Sequence, residues 1–308
     1  MKNKLSLLIH PEELSMKWID RARSCGLTTL ALRPRGGYIA PISLVEMLDM
    51  LDTEEYRKML DYAAENGLEI EYECHAAGYL LPRDMFETHP EWFRLDESGN
   101  RNPDCNFCVS NEEALEYVSD RAASLAEKLY LSTHNYYFWL DDKKDVDCRC
   151  DKCASLSPSD KNLTVMNRML EKIKKKIPDA KLCCLCYQDT LEVPKKVTPD
   201  KDIFLEYAPI ERDMHSPVRN QGYAEKVSAL LDFFGKENSK VLEYWFDNSM
   251  FSDWKKPPKK FVPEKDVIKD DIAFYKELGF ENVSSFACFL GEDYEELFGE
   301  PDVSDIKQ

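Results

Sequence analysis

The chain lacks a long apolar run. Its N-terminal candidate, Leu5 to Ile9, is interrupted by Ser6 and falls short of the ~7 residues of a signal-peptide core and the ~18 of a spanning helix. The expectation is a cytoplasmic protein with no membrane partner. Positive charge is also in the minority. Against 58 Asp and Glu stand 41 Lys and Arg, a formal charge of -17 that repels phosphate backbones and anionic lipid headgroups. Nucleic acid is therefore excluded as an expected partner. No glycine cradle for a phosphate follows the first apolar segment, where His10-Pro11-Glu12 stands instead, so Rossmann and P-loop sites are absent. The eleven cysteines amount to under ~4% of the chain, below the range of disulfide scaffolds. Histidine is scarce, with five in all, and only His75 is expected in a pocket; the others read as loop residues.

What is present is core material, 43% of 308 residues. Eight short segments rich in Val, Ile, Leu, aromatics and Cys read as buried strands: Leu5 to Ile9, Thr28 to Leu32, Leu68 to Cys74, Tyr136 to Leu140, Lys181 to Tyr187, Ile203 to Tyr207, Lys240 to Phe246 and Val283 to Phe289. Helical stripes lie between them, as in Leu115, Val118, Ala122, Leu125 and Leu129, or Leu163, Met166, Leu170, Ile173 and Ile177, or Ala224, Val227, Leu231 and Phe234. Ser110 with Glu113 has the form of a capping box opening a helix at Asn111. Cys25-Gly26-Leu27, Asn66-Gly67-Leu68 and Leu278-Gly279-Phe280 share one form, a helix stopped by Gly and followed at once by an apolar residue entering a strand. Alternation of this kind, with no composition break, predicts an α/β protein: a single (β/α)8 TIM barrel over residues 1–308. Long βα loops, Cys74 to Ser110, Asp141 to Asp160 and Tyr207 to Gln221, would lie at its C-terminal mouth.

Functional groups follow the predicted strand ends: His10, Arg33 and Arg35, Glu73 and His75, Asp141 and Asp142, Tyr187 and Asp189, Glu206 and Tyr207, Glu243 to Asp247, and Glu292. Two carboxylate sites stand out, Asp141/Asp142 after Phe138-Trp139-Leu140 and Glu243 within Leu242-Glu243-Tyr244-Trp245. Desolvation among aromatics raises a carboxyl toward the range of a general acid, and glycoside hydrolysis needs two carboxylates flanking one bond. Taken singly, Asp141 or Glu243 fits as well a structural salt bridge to Arg33 or Arg35. Trp139, Tyr187, Tyr207, Tyr244, Trp245 and Trp254 supply faces on which a sugar ring can stack.

The run His89-Pro90-Glu91-Trp92-Phe93, then Cys108-Val109-Ser110-Asn111-Glu112-Glu113, Asp141-Asp142, Cys148-Arg149-Cys150-Asp151-Lys152-Cys153 and Glu243-Tyr244-Trp245 resembles the bacterial Domain of Unknown Function 4838 family. The resemblance covers roughly residues 70 to 290 and implies a barrel grouped with glycoside hydrolases, with a sugar site. More distantly the chain is similar to beta-hexosaminidase and alpha-glucuronidase barrels, where an acidic pair after strand four supplies the acid. In the hexosaminidases that pair is Asp-Glu, so Asp142 stands in for the acid with a side chain one methylene shorter.

The expected function is glycoside hydrolysis of a carbohydrate, with Asp142 the general acid, Asp141 its orienting partner and Glu243 the opposing nucleophile or base. Arg35, His75, Tyr187, Glu206, Trp245 and Asp247 would hold hydroxyls or a substrate carboxylate, and no catalytic cofactor is expected. Two alternatives stay open. One is a non-catalytic carbohydrate-binding barrel; the other is a metal-dependent sugar isomerase or lyase using His75, Asp141, Glu206 and Glu243 as ligands. Separately, Cys150-x2-Cys153 and Cys105-x2-Cys108 have the paired form of a structural zinc site, with Cys148 as a further thiol. Cys108, Cys148, Cys150 and Cys153 are the favoured ligands; free thiols or disulfides are the other reading. Cys183, Cys184 and Cys186 read as core filler, since strand residues alternate between faces.

Overall fold

All eight apolar segments form strands because they are buried on both faces and bounded by turn chemistry. The structure, a computed structural model, describes residues 4–307. Strands β1 (Lys4–Ile9), β2 (Thr29–Leu32), β3 (Glu69–His75), β4 (Asn135–Trp139), β5 (Lys181–Tyr187), β6 (Ile203–Ala208), β7 (Lys240–Glu243) and β8 (Asn282–Phe286) are joined edge to edge in chain order, and β8 returns to β1 to close a (β/α)8 barrel. A parallel register carries Leu7 opposite Leu30 on one side and Ser285 on the other. Leu7, Leu8, Ile9, Leu30, Ala31 and Leu32 are wholly buried, as expected of parallel strands covered by helices.

The three glycine stops are real. Gly26, Gly67 and Gly279 have φ of +69°, +73° and +97°, and the residue after each donates back to a carbonyl five residues earlier: Leu27 to Ala22, Leu68 to Ala63 and Phe280 to Tyr275. Only glycine enters this left-handed region without strain, so each helix ends there and the chain turns into the next strand. One cap differs from expectation. Asn111, not Ser110, caps the helix Glu112–Lys128, its side chain accepting from the Ala114 N–H. Ser110 instead turns its hydroxyl to Cys153.

Contacts divide the chain into two units, one of residues 4–33, 47–71 and 206–307, the other of 34–46 and 72–205. In the first, β1 pairs with β2 and β8, and β7 pairs with β8 and with Glu206 and Tyr207 of β6. In the second, β4 lies between β3 and β5, and the helices Glu112–Lys128 and Pro158–Lys176 pack their predicted stripes inward. Ser157 and Asp160 form a capping box at the start of the latter helix. Asp160 is also the anchor of the loop that follows β5, accepting from the N–H groups of Lys195, Lys196 and Val197. Cys183, Cys184 and Cys186 are all buried in β5, as read from the strand period. Among the described residues, no helix is long and apolar enough to cross a membrane.

Candidate functional site

In the second unit, β3 and β4 run in register, with His75 opposite Trp139, so the residues that follow them leave the sheet together. The His75 ring sits edge-on to Trp139, and its Nδ1–H donates to the Leu140 carbonyl at 2.6 Å. A carbonyl can only accept, so that bond places the proton on Nδ1 and turns Nε2 toward Asp142, 3.9 Å from Oδ2. The other Asp142 oxygen accepts from the Tyr187 hydroxyl at 2.9 Å, and Gln188 Nε2 donates to that hydroxyl at 2.8 Å. Asp142 thus lies between the ends of β3 and β5 with its side chain a quarter exposed.

Its neighbour is held differently. Asp141 accepts from the Arg83 guanidinium and from the Asn106 N–H at 2.5 Å, while its own N–H donates to the Asn106 amide oxygen at 2.9 Å. The salt bridge considered for Asp141 exists, but its partner is Arg83, not Arg33 or Arg35. His75, Asn106, Asp141, Lys143, Tyr187 and Asp189 are among the residues lining a small solvent-open cleft. Arg35 is exposed, its N–H donating to the Ser43 hydroxyl.

In the first unit, Glu243 ends β7 with no exposed surface. One of its oxygens accepts from Arg212 Nε at 3.1 Å, the other from the Tyr275 hydroxyl at 2.5 Å. Arg212 also donates to Asp271 at 2.5 Å, and Trp245 Nε1 donates to the same Asp271 oxygen at 2.9 Å. Burial raises the Glu243 carboxyl to about 7 and lifts Asp271 as well, in both cases against the lowering pull of the Arg212 guanidinium. Glu243 therefore has the salt bridge that was weighed for it, with Arg212 in place of Arg33 or Arg35. Glu206 stands level with Lys240, the first residue of β7, and is fully buried against its ammonium at 3.4 Å. Asp247 accepts from the Ser249 and Met250 N–H groups and the Ser249 hydroxyl, capping the helix Asn248–Phe251. Glu206 is thus paired with Lys240, and Glu243 with Arg212.

Four cysteines of the second unit do converge. The sulfurs of Cys108, Cys148, Cys150 and Cys153 all lie within 4.8 Å of one another, the only such group of potential ligands among the described residues. Cys105 is outside it.

The model of a Domain of unknown function (DUF4838) matches residues 49–296. The chain belongs to this family. No curated protein matches it. This DUF4838 barrel is similar in structure to a β-galactosidase from Rahnella sp. R3, with a TM-score of 0.56 at 12% identity over 93% of this chain and 50% of that one. It is also similar to ZgEngAGH5_4 in complex with a cellotriose, with a TM-score of 0.55 at 12% identity over 100% and 94%. A hyperthermophilic endo-β-1,4-glucanase in complex with substrate gives 0.51 at 12% identity over 94% and 88%. At such identities the likeness is one of fold. The chain spans about half the length of the β-galactosidases it matches.

Several residues that organise the DUF4838 sites escape a sequence reading. Arg83, Asn106, Arg212, Asp271 and Tyr275 stand in loops or on helix faces, where a polar residue carries no signal of its partner. Lys240 could have been found, since a lysine opening a run as apolar as Val241-Leu242 needs a buried counter-charge. His10 lies in the turn after β1, as expected, but is buried there, with Nδ1 donating to the Arg33 carbonyl at 2.9 Å.

Proposed function

We propose that this barrel is a glycoside hydrolase with Asp142 as its general acid. The observation that carries the reading is the seat of Asp142, half-buried between His75 and Tyr187 beside an open cleft. In the protonated form Asp142 would deliver its proton to the glycosidic oxygen as the bond to the anomeric carbon breaks. Asp141, its charge balanced by Arg83, holds the turn that presents Asp142. Gln188 and Lys143 offer donors to sugar hydroxyls, and the Tyr187 ring offers a face. The printed names of the similar structures, a β-galactosidase, an endo-β-1,4-glucanase and a cellotriose complex, support a carbohydrate as the ligand class. Glu243 is retained as the second carboxylate, nucleophile or base.

A second reading, a barrel that binds carbohydrate without cleaving it, is favoured by one observation: Glu243 is fully enclosed, both oxygens taken by Arg212 and Tyr275. Kinetics on nitrophenyl and alkyl glycosides separate the two. Asp142→Asn should lower turnover on poor leaving groups by about 10^2 or more and on acidic phenols much less. Glu243→Gln should slow both kinds, because neither attack on the anomeric carbon nor activation of water is relieved by a better leaving group. Equal losses for Asp142→Asn on both kinds would deny it the acid role. Saturable sugar binding with no turnover in the unaltered protein would establish the binding reading.

A further inference from the structure

The cysteine group is built by two loops that sequence separates by forty residues. Cys108 comes from the segment after β3, while Cys148, Cys150 and Cys153 come from the segment after β4. Sulfur separations decide what the group can hold. Cys108 Sγ lies 3.7 Å from Cys150 Sγ and 3.9 Å from Cys153 Sγ. A disulfide would bring two sulfurs to ~2.05 Å. Four thiolates at the ~2.3 Å of a zinc–sulfur bond stand ~3.8 Å apart on the edges of a tetrahedron. An iron–sulfur cluster distributes its thiolates over several metal atoms and needs them more widely spaced than this.

The surroundings suit thiolates as well. The Leu95 N–H points at Cys148 Sγ from 3.3 Å, Arg101 Nη1 lies 3.9 Å from the same sulfur, and the Ser110 hydroxyl is 3.0 Å from Cys153 Sγ. Donors of this kind are what orient and partly neutralise the ligands of a metal. They also explain why Ser110 leaves the helix cap to Asn111. Three of the four sulfurs belong to buried residues, as in closed structural sites without a coordinated water.

We infer that Cys108, Cys148, Cys150 and Cys153 bind one zinc ion, which clamps the loops after β3 and β4 onto each other. The clamp has a consequence for the cleft. Asn106, two residues before Cys108, brackets Asp141 through both its N–H and its amide oxygen, and Asp147 precedes Cys148 in the cleft wall. The hairpin of Arg94–Leu95 and Arg101–Asn102 is tied in by the same segment, with the Arg149 N–H donating to the Leu95 carbonyl at 2.9 Å. Binding releases the thiol protons to solvent, so acid competes with the metal.

The test uses the full chain, purified without chelator. Elemental analysis should find about one zinc per chain, and cobalt exchanged into the site should show the sulfur-to-metal charge-transfer bands of tetrahedral thiolate ligation. Chelation should make about four further thiols reactive and should expose the segments 92–110 and 141–157 to proteolysis. Cys148→Ser should lose the metal, whereas Cys105→Ser should keep it. If Cys148→Ser does not fold, the chelation experiment on the unaltered chain carries the decision. Protein from zinc-supplemented cells that holds no stoichiometric metal, or holds a different one, would overturn the site. Retention of zinc by both Cys148→Ser and Cys153→Ser would do the same. Metal release that leaves proteolysis unchanged would overturn the clamp. None of these readouts depends on an activity toward sugars.

Discussion

The two units treat the same sequence motif, an acidic residue among aromatics at a strand end, in opposite ways. After β4 the pair Asp141-Asp142 remains at the edge of an open cleft, and its partners are a partly buried Arg83, a backbone N–H and a tyrosine hydroxyl. At the end of β7 Glu243 is enclosed with Arg212, Asp271 and Tyr275 and has no exposed surface. Individual carboxyls elsewhere move in opposite directions too. In the first unit, burial pushes Glu13 up to about 8 and Glu243 to about 7. In the second, Arg94 holds Asp104 down at about 2, and at Asp160 the effect of burial is outweighed by Ser157 and a set of backbone N–H groups that bring it to about 2. Burial alone does not tell which way a carboxyl moves; the number of donors aimed at it decides.

The largest effect expected from this difference is on stability. Arg212→Met would leave Glu243 and Asp271 buried together without their cation and should cost about 3–5 kcal/mol in denaturant unfolding. Arg83→Met removes a bond that solvent can partly replace, and should cost about 1–2 kcal/mol. Equal losses at the two arginines would erase the distinction between the units.

An intermediate effect is expected from pH, with opposite signs at Glu13 and Asp160. The Glu13 carboxyl binds its proton more tightly folded than unfolded. Its stabilisation is complete below about 4.5 and is lost as pH rises through about 8. Glu13→Gln should therefore gain on the unaltered chain between pH 5 and 9, by about 1–3 kcal/mol at the alkaline end. Asp160 works the other way, its contribution being present above about 3.8 and lost as pH falls through about 2. Asp160→Asn should flatten the acid limb and leave the alkaline one alone. Melting temperatures across pH would show it, and a difference curve for Glu13→Gln that stays level would remove Glu13 from the account.

The smallest effect concerns the cleft itself. Tyr187→Phe removes one donor from Asp142 and should change stability by about 1 kcal/mol or less. If Asp142 is the acid, losing a bond to its charged form favours the protonated one, so the alkaline limb of the rate profile should move upward by less than about one pH unit. A downward movement would contradict that role.

Much of the barrel was legible from residues alone. Strand burial, helical stripes and glycine stops are local: they depend on neighbours within about five residues, and Gly26, Gly67 and Gly279 act through carbonyls five positions before the residue that follows them. The position of Asp141-Asp142 just past a strand end was legible for the same reason, since a strand end marks where a side chain leaves the sheet. The partners were not. That Asp141 and Glu243 would each meet an arginine could be anticipated from the cost of an unpaired carboxylate, but whether it would be Arg33, Arg35, Arg83 or Arg212 could not.

The sequence by itself determined the order of strands and helices, the long loops after β3 and β4, and the presence of cysteines and carboxylates in them. Only the tertiary structure decided that Cys108 and not Cys105 meets the cysteines after β4, that Ser110 serves Cys153 and not its own helix, and that Glu206 is spent on Lys240 inside the barrel. Each of these pairs lies more than thirty residues apart, and their meeting depends on how the loops close over the strand ends. No periodicity of 2 or 3.6 residues encodes that closure.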